Sequence, residues 1–125
     1  MQTTTQWQTV WKELRDNLAK QPHCREHPDY PCVKTLAQEI TNDMIEISEE
    51  GITVRSHRTY REDFIEARRF RIWWNHLISK GSASIKPGDA NNPHPWRSRI
   101  VGAIFAHCLP DRIRVVDNNC IEFIE

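Results

Sequence analysis

The residues best suited to chemistry in this chain cluster between positions 23 and 32. His23, Cys24, His27 and Cys32 include the spacing Cys-x2-His-x4-Cys, with His23 as a fourth candidate ligand. Zinc takes four such soft or borderline ligands in a tetrahedron, and ligands from one short loop lower the entropy of closing it. One structural zinc is the cofactor this pattern allows. Two features weigh against it: His23 and Cys24 are adjacent, and no second paired cluster follows. His107, Cys108 and Cys120 complete a site only if the fold brings them near. The other readings are free thiols or a Cys24–Cys32 disulfide, which a cytosolic compartment disfavours.

The second chemical signal is arginine. Residues 51–125 hold ten Arg and two Lys against eight acidic residues, whereas residues 1–50 hold five basic and nine acidic ones. The formal charge of zero is therefore the sum of an acidic half and a basic half. Arg presents a planar fork to phosphates and base edges and stacks on aromatic rings. Arg97, Ser98 and Arg99 stand where a helix is expected to start, so free backbone amides, a hydroxyl and two guanidinium groups would all favour an anion there. Arg112 and Arg114 on a hairpin, and Arg61, Arg68 and Arg69 on a preceding helix, would extend the footprint. The alternative is a solvated face on which Arg114 pairs with Glu122, and Arg68 and Arg69 pair with carboxylates on their own helix.

Enzyme motifs are missing. The four Gly are scattered, so no glycine-rich phosphate loop exists, and neither a nucleophile elbow nor His-Glu-x-x-His occurs. Glu62-Asp63 and His57-Arg58 are neighbours whose side chains diverge, and His94 sits between two prolines as loop punctuation. The chain reads as a non-enzymatic module.

These groups depend on a small set of elements. Trp7, Val10, Trp11, Leu14 and Leu18 recur at helical spacing and predict an amphipathic helix over 6–19 that docks on the domain's own core. Three prolines keep 22–32 irregular, and 33–40 continues as a short helix. Residues 44–48 and 52–56 alternate around Gly51 as a β-hairpin. Thr59-Tyr60-Arg61-Glu62 fits a capping box for a long central helix ending near Ser79, with Gly81 just past its end. Tyr60 and Phe64 fall on that helix's apolar face, and Arg71 lands among them. A loop follows over 82–94, then a helix from about 95 to 108, then a hairpin of 112–116 with 120–124. In that hairpin Arg114 should lie opposite Glu122, and Ile113 and Val115 opposite Phe123 and Ile121.

The expected fold is one α+β domain over residues 1–125. Residues 1–43 supply the first helix and the Cys/His loop, and residues 44–125 form the α+β core. Over about residues 44–124 the order hairpin, helix, loop, helix, hairpin resembles winged-helix modules in element order, without a diagnostic motif. That resemblance implies a second helix entering the major groove by its N-terminal end. The expectation is a nucleic-acid-binding or regulatory module contacting DNA or RNA phosphates. Its rival is a protein-interaction or self-association adaptor that uses the five Trp, of which Trp96 should lie nearest the surface.

At 125 residues and 38% hydrophobic composition, one domain can bury a core without disulfide staples. No apolar run approaches the roughly 20 residues of a membrane span, and the first residues lack the features of a signal peptide. A soluble, cytoplasmic chain without a membrane partner is expected.

Overall fold

The computed structural model describes residues 4–25 and 28–124, which fold as α+β with three helices and two antiparallel sheets. Helix α1 (Thr4–Ala19) leads into an irregular segment and a four-stranded sheet of β1 (Cys32–Lys34), β2 (Thr41–Ser48), β3 (Gly51–Ser56) and β4 (Glu62–Glu66), in that spatial order. Helix α2 (Ala67–Lys80) follows at once. Strand β5 (Ser82–Ser84) precedes helix α3 (Ser98–Cys108), then β6 (Ile113–Asp117) and β7 (Cys120–Phe123) close a second sheet ordered β5-β7-β6. Among the described residues, no helix is long and apolar enough to cross a membrane.

The stripe of α1 does what its spacing predicts: Trp7, Val10, Trp11, Leu14 and Leu18 are all buried. Trp11 stacks on Trp7 and meets Phe70 of α2, which in turn approaches Phe105 of α3, so aromatic rings tie the three helices together. Polar contacts fix α1 to the distant end of the chain. Asn17 Nδ2 donates to the Cys108 carbonyl at 2.7 Å, and Arg112 reaches Glu13 at 3.2 Å. Four of the five Trp lie in the core, and Trp96 is the one nearest the surface, as its place after two prolines predicts.

The largest departure concerns residues 59–66. Residues 62–66 form β4 instead of a first helical turn, because β3 offers an edge that this segment completes: Ile65 pairs with Ile52 and is fully buried. Sheet pairing that buries an isoleucine overrides local helix propensity. The capping box does not form. Thr59 Oγ1 instead accepts from the Arg61 amide at 3.3 Å, and Tyr60 takes a left-handed conformation with φ 58°. Tyr60 and Phe64, expected on an apolar helix face, are exposed, and so is Arg71. Two smaller differences follow the same logic. Residues 33–40 give β1 and a turn in place of a short helix, and the 82–94 loop contains β5, which pairs with β7.

Both predicted hairpins form. Arg114 pairs with Glu122, and Ile113 and Val115 face Phe123 and Ile121; an irregularity between Val115 and Asp117 absorbs one residue, so two residues make the turn. Gly51 is required for proximity: a Cβ there would lie 2.3 Å from the Ile65 carbonyl oxygen. Gly81 ends α2 in the left-handed region at φ 84°, its amide bonded to the Leu77 carbonyl.

Cys108 lies in the core, and burial pushes its thiol up to about 12. The unfolded thiol ionises near 9.0, so above that pH the unfolded chain releases a proton that the native chain keeps. Stability contributed by this group is complete below pH 9 and declines as pH rises. A loss of about 1.4 kcal/mol at pH 10 relative to pH 7 is expected. Urea melts of the wild type and of Cys108→Ala check it: the variant should decline less steeply by that amount.

Candidate functional site

The sheet's two faces carry two different constellations. Antiparallel pairing places Asn42 opposite Ser56 on one face and Asp43 opposite Arg55 on the other. The first face is turned toward α3, and the second is covered by the irregular segment before β1.

On the first face lies a cavity of about 490 Å³ where the start of α3, the turn after β3 and the segment after β1 meet. Arg58, Arg97 and Arg99 line it together with Thr35, Ser56 and Thr59, and among the described residues no carboxylate does. The first-turn amides of Arg99 and Ile100 have no acceptor among the described residues, the normal state of a helix N-terminus. Arg97 turns the chain into α3 from a left-handed conformation at φ 56°. Its guanidinium is held from behind by Asp63 at 3.4 Å and donates to Asn42 Oδ1 at 3.4 Å, while its buried Nε makes no aligned hydrogen bond. Among the described residues Arg99 reaches only Asn119 Oδ1, at 3.5 Å, and Arg58 has no carboxylate partner.

The remaining predicted arginines do not converge on this cavity. Arg61 pairs with Asp63, Arg68 with Glu66, Arg112 with Glu13 and Arg114 with Glu122. Arg69 lies over the Trp96 ring at 4.9 Å and donates to His94 Nε2. Burial, then the charges of Arg69 and Arg68, hold His94 below the usual imidazole range, consistent with a neutral ring accepting from Arg69. Ser98 is buried and its hydroxyl donates to the Ile85 carbonyl at 2.8 Å, so it anchors α3 and is not free for an anion. Helix α3 is buried at Ile100–Phe105 and Cys108, and among its residues Arg99, Ala106 and His107 reach the surface.

On the opposite face Asp43 is fully buried beneath a cap of side chains. Arg55 donates to Asp43 Oδ2 through Nε and Nη2 at 3.3 and 2.9 Å, His57 Nε2 lies 2.8 Å from Oδ1, and Tyr30 stacks on the Arg55 guanidinium. Cys24 joins them: its sulfur, an Asp43 oxygen and a His57 ring nitrogen lie within 4.8 Å of one another. Of the predicted metal ligands, His23 donates from Nδ1 to the Pro28 carbonyl at 2.6 Å, and the Cys32 thiol is directed to the Pro22 carbonyl at 3.5 Å. His27 lies outside the described residues. Among the described residues, then, the Cys/His loop contributes Cys24 to a cluster whose other members come from the sheet. Loop spacing does not reveal Asp43 and His57. The available signal was strand alternation, which carries Arg55 and His57 on one face of the second strand and its extension, with Asp43 just ahead of the first.

No protein-family model, curated protein or solved structure matches this chain, and the geometry of these two constellations carries the functional reading.

Proposed function

We propose that this chain is a non-enzymatic module that binds single-stranded nucleic acid by holding a phosphate in the cavity at the start of α3. The observation that supports this reading is the meeting of Arg58, Arg97 and Arg99 with unpaired helix amides in one cavity that, among the described residues, no carboxylate lines. Guanidinium groups and N-terminal amides together suit a phosphate dianion or diester. A strand is favoured over a duplex for two reasons. The cavity is concave and α3 is buried, so a splayed nucleotide reaches the arginines where a groove edge does not. Tyr60 is also two-thirds exposed beside Thr59 on the cavity wall, where an aromatic ring can stack a base.

Fluorescence anisotropy with labelled single-stranded RNA and DNA, duplex DNA and free nucleotide tests it across a salt series. The expected result is strand binding that weakens steeply between about 50 and 200 mM salt. Arg58→Ala with Arg99→Ala should weaken it at least tenfold and lower the logarithmic salt slope by about 0.7, the value for one lost phosphate contact on a single strand. Absence of binding at low salt, or an unaffected double variant, overturns the proposal. Preference for the duplex overturns the strand reading.

A further inference from the structure

We infer that Cys24, Asp43 and His57 form a binding site for one zinc-class divalent ion, on the face of the sheet opposite the cavity. The donor set is a thiolate, a carboxylate and an imidazole, the ligands zinc takes in sites with three protein ligands and an open position. Hard cations such as magnesium and calcium prefer all-oxygen cages and do not suit a thiolate.

The geometry is close to what the ion requires. Zinc bonds of about 2.0–2.3 Å at tetrahedral angles space the ligand atoms by roughly 3.3–3.6 Å. The three candidate atoms already lie within 4.8 Å of one another, with His57 Nε2 and Asp43 Oδ1 at 2.8 Å. An ion entering there takes the place of the His57 Nε2 proton, which passes to Nδ1 or, from an imidazolium, to solvent, so that the ligand is a neutral imidazole; the Cys24 proton leaves to solvent as the thiolate binds. The three ligands leave a fourth position for water.

The surroundings support the ligand that matters most. Asp43 is fully buried, and its second oxygen is held by two Arg55 donors, so Oδ1 is fixed in direction before any ion arrives. Metal-bound groups are commonly oriented by such outer hydrogen bonds. Charge also balances. A thiolate and a carboxylate neutralise the dication, while Arg55 has Glu62 4.0 Å away on its other side. The ligands come from three places in the chain: the loop before β1, strand β2 and the turn after β3. An ion there would tie the proline-rich segment onto the sheet.

The test uses the full chain without a histidine tag, stripped with a chelator and titrated with cobalt(II), then zinc. A thiolate-to-cobalt charge-transfer band and retention of close to one zinc per chain are expected. Cys24→Ser should abolish the band, and Cys24→Ser and His57→Ala should each weaken zinc binding at least tenfold. Cys32→Ser and His23→Ala should leave both within twofold. Circular dichroism on each variant separates a lost ligand from a lost fold, and Cys24→Ser keeps the test decisive if His57→Ala unfolds. No zinc retained at micromolar free metal, a band surviving Cys24→Ser, or a band lost with Cys32→Ser each overturns the inference.

Discussion

Replacing Asp43 with Ala is expected to lower unfolding free energy by about 3 kcal/mol, measured by urea denaturation with a chelator present. The reason is asymmetry. A buried pair contributes little net stability against an apolar substitute, yet removing one partner leaves the other charge stranded and typically costs about 3–5 kcal/mol. Here Arg55 and His57 retain some solvent access, which places the value at the lower end. Two guanidinium donors and an imidazole lose their common acceptor at once. Asp43→Asn keeps the shape and one acceptor oxygen, so its cost should be roughly half as large, since hydrogen bonds to charged groups are about twice as strong as neutral ones. A loss below about 1 kcal/mol for the alanine variant, within the range of exposed ion pairs, would show that the pair acts as a surface contact.

The second large effect is expected at Gly102. It lies one helical turn beyond Ser98, and the same residue, Ile85, meets both: its carbonyl accepts from Ser98 and its side chain covers Gly102. A Cβ at 102 would sit 2.2 Å from Ile85 Cγ2, a buried branch atom with little freedom to retreat. Overpacking of this kind costs about 1–3 kcal/mol, while helix propensity returns nearly 1 kcal/mol when Ala replaces Gly. With the contact as close as 2.2 Å the cost falls at the top of that range, and a net loss of about 2 kcal/mol is expected for Gly102→Ala. The double variant with Ile85→Ala should be more stable than the sum of the single effects by at least 1 kcal/mol, because the clash disappears in the cavity that Ile85→Ala opens. Simple additivity would place the strain elsewhere. Since α3 carries Arg97 and Arg99, the single variant should also weaken strand binding.

What could be read from sequence divides by range of interaction. The α1 stripe, the Gly81 terminus and the Arg114–Glu122 register are local patterns, each set by a periodicity or a turn within a few residues. Residues 62–66 were illegible for the converse reason. Their choice of strand over helix is made by β3, and nothing between Thr59 and Glu66 encodes that partner. The sites divide the same way. Arg97 and Arg99 were visible at a predicted helix start, but Arg58 joins them only when the turn after β3 folds against α3. Cys24 was visible in a ligand-like loop, while Asp43 sat unnoticed beside the apolar alternation of β2. Neutralisation of the basic half was foreseeable at short range, for Arg114 with Glu122 and for Arg68 with a carboxylate close by in sequence. Arg112 finds its carboxylate on Glu13, 99 residues away.

That distance has a consequence for how the chain is made. The apolar stripe of α1 is covered in part by α3, and Asn17 bonds to Cys108 across 91 residues. At a synthesis rate of roughly 5–20 residues per second, the ribosome needs on the order of 5–20 seconds to supply α3 after α1 has left the tunnel. Throughout that interval the α1 stripe lacks the part of its surface that α3 covers, so the nascent chain presents a partly covered apolar helix early and completes its fold late.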